Sequence, residues 1–373
     1  MYGKDEKAEI WLDSFGFGLP KKLRLRALVR SAHELVAGFS ARYAAVEKIV
    51  GEEDAAAMRR SLEDGAAFRA LLESYARKGV RCVTLSSPLY PQQLLHIPDP
   101  PLVLYCKGDV SLFKGRMFAI VGSSRTLPAI LQLTRQFACE LSAHFTIVSG
   151  MADGGDAAAL RGALEGGRPI SVLACGCDRF YPAANCALQR EVEAKGLLVS
   201  EYPPGTKPSA WSFPARNRII AGLAEGVLVV SGGEKSGTRS TAASAYTYGR
   251  DVFAFPYTIG EPTGAGCNAL LKEYAKLADN LVDIASAFGI NLTAAEKIEL
   301  TPAESAAYAA IEGEAHASAI AERAGIPAHE LPALLVSLEI KKLIAPCGGN
   351  RYRRLRYGKA FFASRARSAH LLS

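Results

Sequence analysis

The sequence lacks long hydrophobic runs and contains little histidine, methionine or tryptophan. No apolar stretch approaches the ~20 residues that a membrane-spanning helix needs. The first ten residues, MYGKDEKAEI, contain acids and no apolar segment of the kind found in signal peptides. We therefore expect a cytoplasmic protein without a membrane segment.

Paired metal-ligand motifs are also absent. The eight cysteines are scattered, no two of them form a C-x-x-C pair, and the six histidines are dispersed. The closest pair, Cys175 and Cys177, has no second pair at the spacing of a zinc site. A disulfide framework does not suit a chain of this size and class. We predict no metal.

Common enzyme motifs are missing as well. The sequence has no G-x-G-x-x-G, no G-x-x-x-x-G-K-[ST] and no G-x-S-x-G. These absences argue against a dinucleotide site, a P-loop and a hydrolase nucleophile elbow, respectively. We predict no cofactor and no catalytic residue.

What the chain does contain, from residue 117 to about 285, is a regular alternation of short apolar runs and helical patterns. This alternation predicts an α/β fold, with a parallel sheet and helices on both faces. The predicted strands are Met117–Val121, Phe145–Val148, Ile170–Ala174, Leu197–Ser200, Val227–Val230 and Asp251–Ala254.

Small and hydroxyl residues follow several of these strands, where ligands bind in such sheets. Glycine next to serine or threonine lets the backbone approach an oxyanion closely, and an arginine adds a bidentate phosphate contact. The alternative is ordinary turn chemistry with a solvated arginine. The candidate anion-binding residues are Gly122, Ser123, Ser124 and Arg125 after the first strand, Ser149 and Gly150 after the second, and Ser236, Gly237 and Thr238 after the fifth.

A second candidate site precedes a helical pattern, in the segment FPARNR. Phe213 could stack on a base, and Arg216, Asn217 and Arg218 suit a nucleic-acid backbone. In the alternative interpretation, Asn217 caps the helix and the arginines pair with acids such as Glu201 or Glu225.

The two ends of the chain differ from its middle. Residues 1–79 read as short helices. Residues 298–357 read as a winged helix-turn-helix, whose predicted recognition helix, His329–Glu339, contains acids and no lysine or arginine. That helix is poor for major-groove contact, so we expect a protein-interaction module or a weak backbone binder. Basic residues concentrate from 340 onward, including a basic tail at 358–373, and suggest a polyanionic partner.

Several motifs in register resemble the DNA-processing protein A (DprA/Smf) family: IVGSSR, IVSGMADGGDAAALRGAL, CGCDRFYPAANCAL, FPARNRIIAGL and FAFP. The resemblance implies a Rossmann-like domain over residues 80–290. It also implies a small SAM-like helical domain over 1–79 and a winged-helix domain over 298–357.

The same resemblance implies a non-enzymatic protein that binds single-stranded DNA, works as a homodimer and loads the recombinase RecA in natural transformation. The residues listed above would form the DNA pocket. The chain departs from the family pattern at Asp153, where an acid could weaken DNA affinity, and at Arg239, which would join the DNA-binding residues and could offset that acid.

An enzyme of the nucleoside monophosphate N-glycosidase type is the alternative. The segment GGEKSGTRST faintly resembles the phosphate loop of such enzymes, and Glu234 is the acid it offers near a ribose.

Overall fold

The computed structural model describes residues 2–290, 300–341 and 343–354. The chain divides between Leu281 and Val282 into two compact units. None of the helices in these described ranges is long and apolar enough to cross a membrane.

The first unit begins with helices and continues as alternating strands and helices. Its α-helices are α1 (Lys4–Asp13), α2 (Leu19–Ala27), α3 (Ala32–Ala37), α4 (Phe39–Val50), α5 (Glu52–Glu63), α6 (Gly65–Arg77), α7 (Pro128–Leu141), α8 (Gly155–Gly166), α9 (Cys186–Lys195), α10 (Ser212–Leu223), α11 (Thr238–Thr247) and α12 (Ala265–Glu273). The next helix, α13 (Leu281–Ala287), begins at the last residue of this unit and continues in the second unit. The strands of the first unit are β1 (Arg81–Thr84), β2 (Val103–Gly108), β3 (Met117–Val121), β4 (Thr146–Ser149), β5 (Ile170–Leu173), β6 (Leu197–Ser200), β7 (Gly226–Val229), β8 (Asp251–Ala254) and β9 (Lys276–Leu277).

These strands form one sheet in the order β1-β2-β6-β5-β4-β3-β7-β8-β9. The strands from β6 to β9 in this order are parallel, and β1 and β2 are antiparallel additions at one edge. The predicted α/β fold with a mostly parallel sheet is therefore confirmed. Because the chain leaves β3 in one direction to β4 and later returns to β7 on the other side, the loops after β3 and β7 separate at a topological switch point.

The predicted strands agree with the structure to within one residue at each end. The fifth strand was predicted to begin at Val227, whereas β7 begins one residue earlier, at Gly226, because Gly226 pairs with Phe118 of β3. The helical N-terminal region is also present.

Both faces of the sheet are covered, as a parallel sheet requires. On β6, Leu197 and Val199 pack with residues of α10 such as Ile220, whereas Leu198 joins a second core that contains Trp11 of α1. Alternate residues of a strand point to opposite faces, so one short strand contributes to both cores. The N-terminal helices thus share a core with the sheet.

Within the described residues, the second unit contains most of α13, three further helices and a small antiparallel sheet of order β10-β12-β11. The elements are α14 (Pro302–Ala309), β10 (Glu314–His316), α15 (Ala317–Ala324), α16 (Leu331–Ile340), β11 (Ile344–Gly348) and β12 (Arg351–Arg354). The helix predicted from His329 begins at Leu331, with Pro332 in its first turn, a position that proline favours. The winged-helix assignment stays a prediction, and the predicted tail at 358–373 lies outside the described residues.

Candidate nucleic-acid interface

A cleft of ≈ 220 Å³ lies at the switch point, between the loops after β3 and β7 and the start of α10. We call it the switch-point cleft. The cleft brings together most of the residues that the sequence singled out. The predicted residues in its lining are Gly122, Ser123, Ser124, Phe213, Arg216, Asn217, Ser236, Gly237 and Thr238.

The loop after β3 is held in a tight turn against the start of α8. A Cβ atom on Gly155 would lie 2.4 Å from the Cα of Gly122, so the two backbones meet at a distance that only glycine permits. The Gly122 N–H donates to Oδ1 of Asp156 at 3.1 Å, and the Ser123 N–H donates to Oγ of Ser231 at 2.9 Å. Buried contacts therefore fix the backbone of this loop.

Arg125 ends this loop and is exposed. Its backbone N–H donates to Oγ of Ser123 at 3.2 Å. Its guanidinium has no hydrogen-bond or ion-pair partner among the residues that the structure describes. Arg125 is not part of the cleft lining, but it follows directly after Ser124, which is.

Arg216 is buried at the floor of the cleft. Its Nη1 donates to the Val172 carbonyl at 2.5 Å, and its Nε donates to Oδ1 of Asn217 at 3.1 Å. The buried carboxyl of Asp156 faces it: burial raises the pKa of Asp156, and the positive charge of Arg216 counteracts that rise. Burial in turn lowers the pKa of Arg216, and the Asp156 charge raises it.

Arg218 lies on another side of α10 and does not line the cleft. It forms ion pairs with Glu201 at 2.5 Å and with Asp99 at 2.9 Å. Burial raises the pKa of Glu201, and the charge of Arg218 offsets part of that effect. The alternative interpretation, in which an arginine pairs with Glu201, is correct for Arg218, whereas Glu225 pairs with Arg116 instead.

Asn217 does not cap α10, because the helix begins earlier, at Ser212. Its Nδ2 instead donates to the Gly237 carbonyl at 3.2 Å and to Oγ of Ser240 at 2.9 Å. Asn217 therefore ties the start of α10 to the start of α11, and it places the two helices on either side of the cleft.

The remaining predicted residues lie outside the cleft lining. Ser149 is buried and donates its hydroxyl to the Ile120 carbonyl at 2.6 Å. Gly150 is buried beside Arg216, where a Cβ would lie 2.5 Å from Nη1. Arg239 lies on α11 and pairs with Glu273 at 2.9 Å.

A second cavity, of ≈ 170 Å³, adjoins the switch-point cleft. We call it the side cavity. Sequence reasoning did not include Tyr181 in the site, yet this residue lines the side cavity, with its ring centroid 5.8 Å from that of Phe213. Its position after the third predicted strand was the available signal. Asp153 and the buried Cys175 also line this cavity.

Other chemistry is sparse in the described ranges. No group of three or more histidine, cysteine or acidic side chains in them is arranged to hold a metal ion. Burial raises the pKa of the Cys175 thiol, which disfavours the thiolate. Glu234 is exposed and is not part of the lining of either cavity.

Comparisons with known proteins place this geometry in a family. Residues 81–289 match the family described as DNA recombination-mediator protein A. The DNA processing protein DprA of Bacillus subtilis is 40% identical over 217 residues, which cover 57% of this chain and 73% of that protein.

Two solved structures are similar in fold and sequence. The X-ray structure of DprA from Streptococcus pneumoniae matches with a TM-score of 0.65 and 32% identity, over 75% of this chain and 97% of that one. A Helicobacter pylori DprA structure, described in terms of its single-stranded DNA binding mode, matches with a TM-score of 0.52 and 33% identity, over 57% and 97% of the chains. The chain therefore belongs to the DNA recombination-mediator protein A family.

Proposed function

We propose that this protein binds single-stranded DNA in the switch-point cleft and passes the strand to the recombinase RecA, without chemical catalysis, in the cytoplasm. The observation that carries this proposal is the convergence of two glycine-rich loops and the start of α11 on one cleft. The family description and the DNA-binding mode of the Helicobacter pylori relative support it.

Phosphate would be held by the backbone and by Arg125. The residues at and before the start of α11, Ser236 to Thr238, line the cleft, and the N-terminus of a helix favours an anion. The exposed guanidinium of Arg125 can donate two parallel hydrogen bonds to the same phosphate. Arg216 contributes less, because Asp156 opposes its charge.

Single strands would be preferred because Phe213 also lines the cleft. An aromatic side chain can stack on a base only when that base is neither stacked between its neighbours nor paired with a second strand, as in single-stranded DNA. A duplex would offer its phosphates to Arg125 but no base to Phe213.

We further propose that two copies associate through the β9 edge of the sheet. This edge ends on a strand of two residues, where Leu277 is half exposed. Tyr246, whose ring stacks on that of Tyr274 two residues before this strand, exposes 60% of its surface. Two clefts on one strand would raise the overall affinity without new contacts. In analytical ultracentrifugation, Leu277→Lys should shift the sedimentation coefficient toward that of the monomer. A variant with the same sedimentation coefficient as the wild type at all protein concentrations would contradict this interface.

Fluorescence anisotropy with labelled single- and double-stranded oligonucleotides, at two salt concentrations, tests DNA binding. We expect tighter binding of the single strand and a steep loss of affinity with salt, because bound phosphates release counterions. Equal binding of both forms, or affinity independent of salt, would contradict the proposal. A variant without residues 358–373 separates the cleft from the predicted basic tail.

The N-glycosidase alternative requires an acid near a bound ribose. Glu234, its candidate, is exposed and outside the lining of both cavities, so the geometry gives this alternative no support. Incubation with nucleoside monophosphates should release no free base, and release that Glu234→Gln abolishes would establish the enzyme instead.

A further inference from the structure

The side cavity opens beside the switch-point cleft and shares four lining residues with it: Ser124, Ala152, Phe213 and Arg216. Its volume of ≈ 170 Å³ is below the ~300–1,000 Å³ of pockets that enclose drug-sized ligands. A single ring system fits this space, whereas a whole nucleotide does not. A ligand whose phosphate occupies the cleft therefore has room for one attached ring in the side cavity.

The walls of the side cavity suit a flat aromatic ligand. Tyr181 is 42% exposed, and its ring lies 5.8 Å from the ring of Phe213 at an angle of 50°. Buried apolar side chains, those of Met151 and Leu173, line the cavity further in. Each ring can stack on a base, an interaction worth ~1–3 kcal/mol per base.

Asp153 is an acidic residue that lines the side cavity but not the switch-point cleft. It precedes α8, is exposed and lines the cavity, so its carboxylate lies at the opening. In the part of the chain that the structure describes, no hydrogen-bond or ion-pair partner engages it. A carboxylate accepts hydrogen bonds and repels phosphate, so beside an anion site it is unfavourable unless a ligand donates to it.

We propose that the side cavity receives one base of the bound strand and that Asp153 makes it prefer guanine. This inference rests on the proposed binding of single-stranded DNA. Guanine presents two adjacent donors, N1–H and the N2 amino group, which match the two oxygens of one carboxylate. Thymine presents a single N–H group between two carbonyl oxygens, and a carboxylate repels those oxygens. Adenine and cytosine each place a hydrogen-bond acceptor beside their amino group, so neither offers two adjacent donors.

The test compares three oligonucleotides of equal length. One contains only thymidine, the second carries guanines separated by two thymines so that no guanine runs form, and the third replaces each guanine by hypoxanthine, which lacks the N2 amino group. Affinities are measured by anisotropy for the wild type, for Asp153→Asn and for Glu234→Gln, an exposed acid on the neighbouring loop after β7 that serves as the charge control.

For the wild type we expect the guanine strand to bind at least about 5-fold more tightly than the thymidine strand, since a bidentate contact discriminates by ~1–3 kcal/mol. The hypoxanthine strand should lie between them. Asp153→Asn should remove most of this ratio, and Glu234→Gln should preserve it. Tyr181→Leu should weaken binding of all three strands.

Each failure has its own signature. If the wild type binds the three strands equally, the base preference is wrong although DNA binding stands. If Asp153→Asn strengthens all three by the same factor, Asp153 only repels phosphate and the preference is again overturned. If no strand binds, the proposed function itself fails.

Discussion

The loop after β3 and the start of α10 both present arginines to the same edge of the sheet, but they use them differently. Arg125 is exposed and its guanidinium has no partner within the described ranges. Arg216 is buried, donates to Val172 and Asn217 and is influenced by the charge of Asp156, whereas Arg218 is paired with Glu201 and Asp99. We therefore expect an arginine in a binding motif to contact a ligand where the fold leaves its guanidinium without a protein partner.

The contrast follows from the cost of desolvation. A buried charge is tolerated when a partner balances it, and removal of the partner leaves an uncompensated charge. We therefore expect substitutions around Arg216 to act mainly on the stability of the fold, and substitution of Arg125 to act mainly on binding.

Asp156→Ala should have the largest effect. It removes the acceptor of the backbone N–H groups of Gly122, Gly150 and Ala152, and it removes the buried negative charge that favours the charged form of Arg216. The free energy of unfolding should therefore fall by about 3–5 kcal/mol. Urea denaturation followed by circular dichroism measures this change. The double variant Asp156→Leu with Arg216→Met should recover part of the loss, because apolar residues replace both charges. A single variant as stable as the wild type would show that the pair does not support the fold.

Gly155→Ala should come next. Its new Cβ would lie 2.4 Å from the Cα of Gly122, which is backbone and has no free rotation to avoid it. The loop after β3 must shift, at a cost of about 1–3 kcal/mol, and DNA affinity should fall with it. Gly16→Ala is the control, because a Cβ there meets nothing within 4 Å. Equal stability of the two variants would mean that the close approach is not required.

A smaller change in the free energy of unfolding is expected for substitution of Glu304 in the second unit. Glu304 is a carboxylate paired with a lysine, so it extends the comparison of paired and unpaired charges to an acid. Its oxygens accept from Lys341 at 2.7 Å and from Ser337 at 2.6 Å, and these contacts lower the pKa of Glu304 to about 2. Because the folded pKa is depressed, its stabilisation is present above the unfolded pKa of ~4.3 and is lost as pH falls toward 2.

Calorimetry of the wild type and Glu304→Gln measures this dependence. We expect a difference in unfolding free energy of roughly 1–2 kcal/mol at pH 6, which shrinks progressively below about pH 4.5. A difference that stays constant down to pH 2.5 would contradict the role of the charged form.

The sequence predicted the sheet, and the residues that it singled out at the sheet edge include most of those that line the switch-point cleft, because apolar runs and glycine-rich ends are local signals. It did not distinguish Arg125 from Arg216 and Arg218. The acids that act on the latter two are Asp156 on α8, for Arg216, and Glu201 and Asp99 in loops, for Arg218, and only the fold brings these elements next to α10. The position of Tyr181 after the third predicted strand was a local signal, but only the fold shows that its ring contacts Phe213.

The most direct test of the account is the salt dependence of single-strand binding for the wild type, Arg125→Ala and Arg77→Ala. Arg77 is a matched control, since its side chain is 72% exposed and has only a distant ion pair, at 3.9 Å, on α6. Arg125→Ala should weaken binding about 10-fold at low salt and reduce the slope of log affinity against log salt by about 0.7. Its stability should stay within about 0.5 kcal/mol of the wild type, and Arg77→Ala should match the wild type in both measurements. Equal affinity and slope for all three proteins would contradict the claim that this cleft binds the DNA backbone.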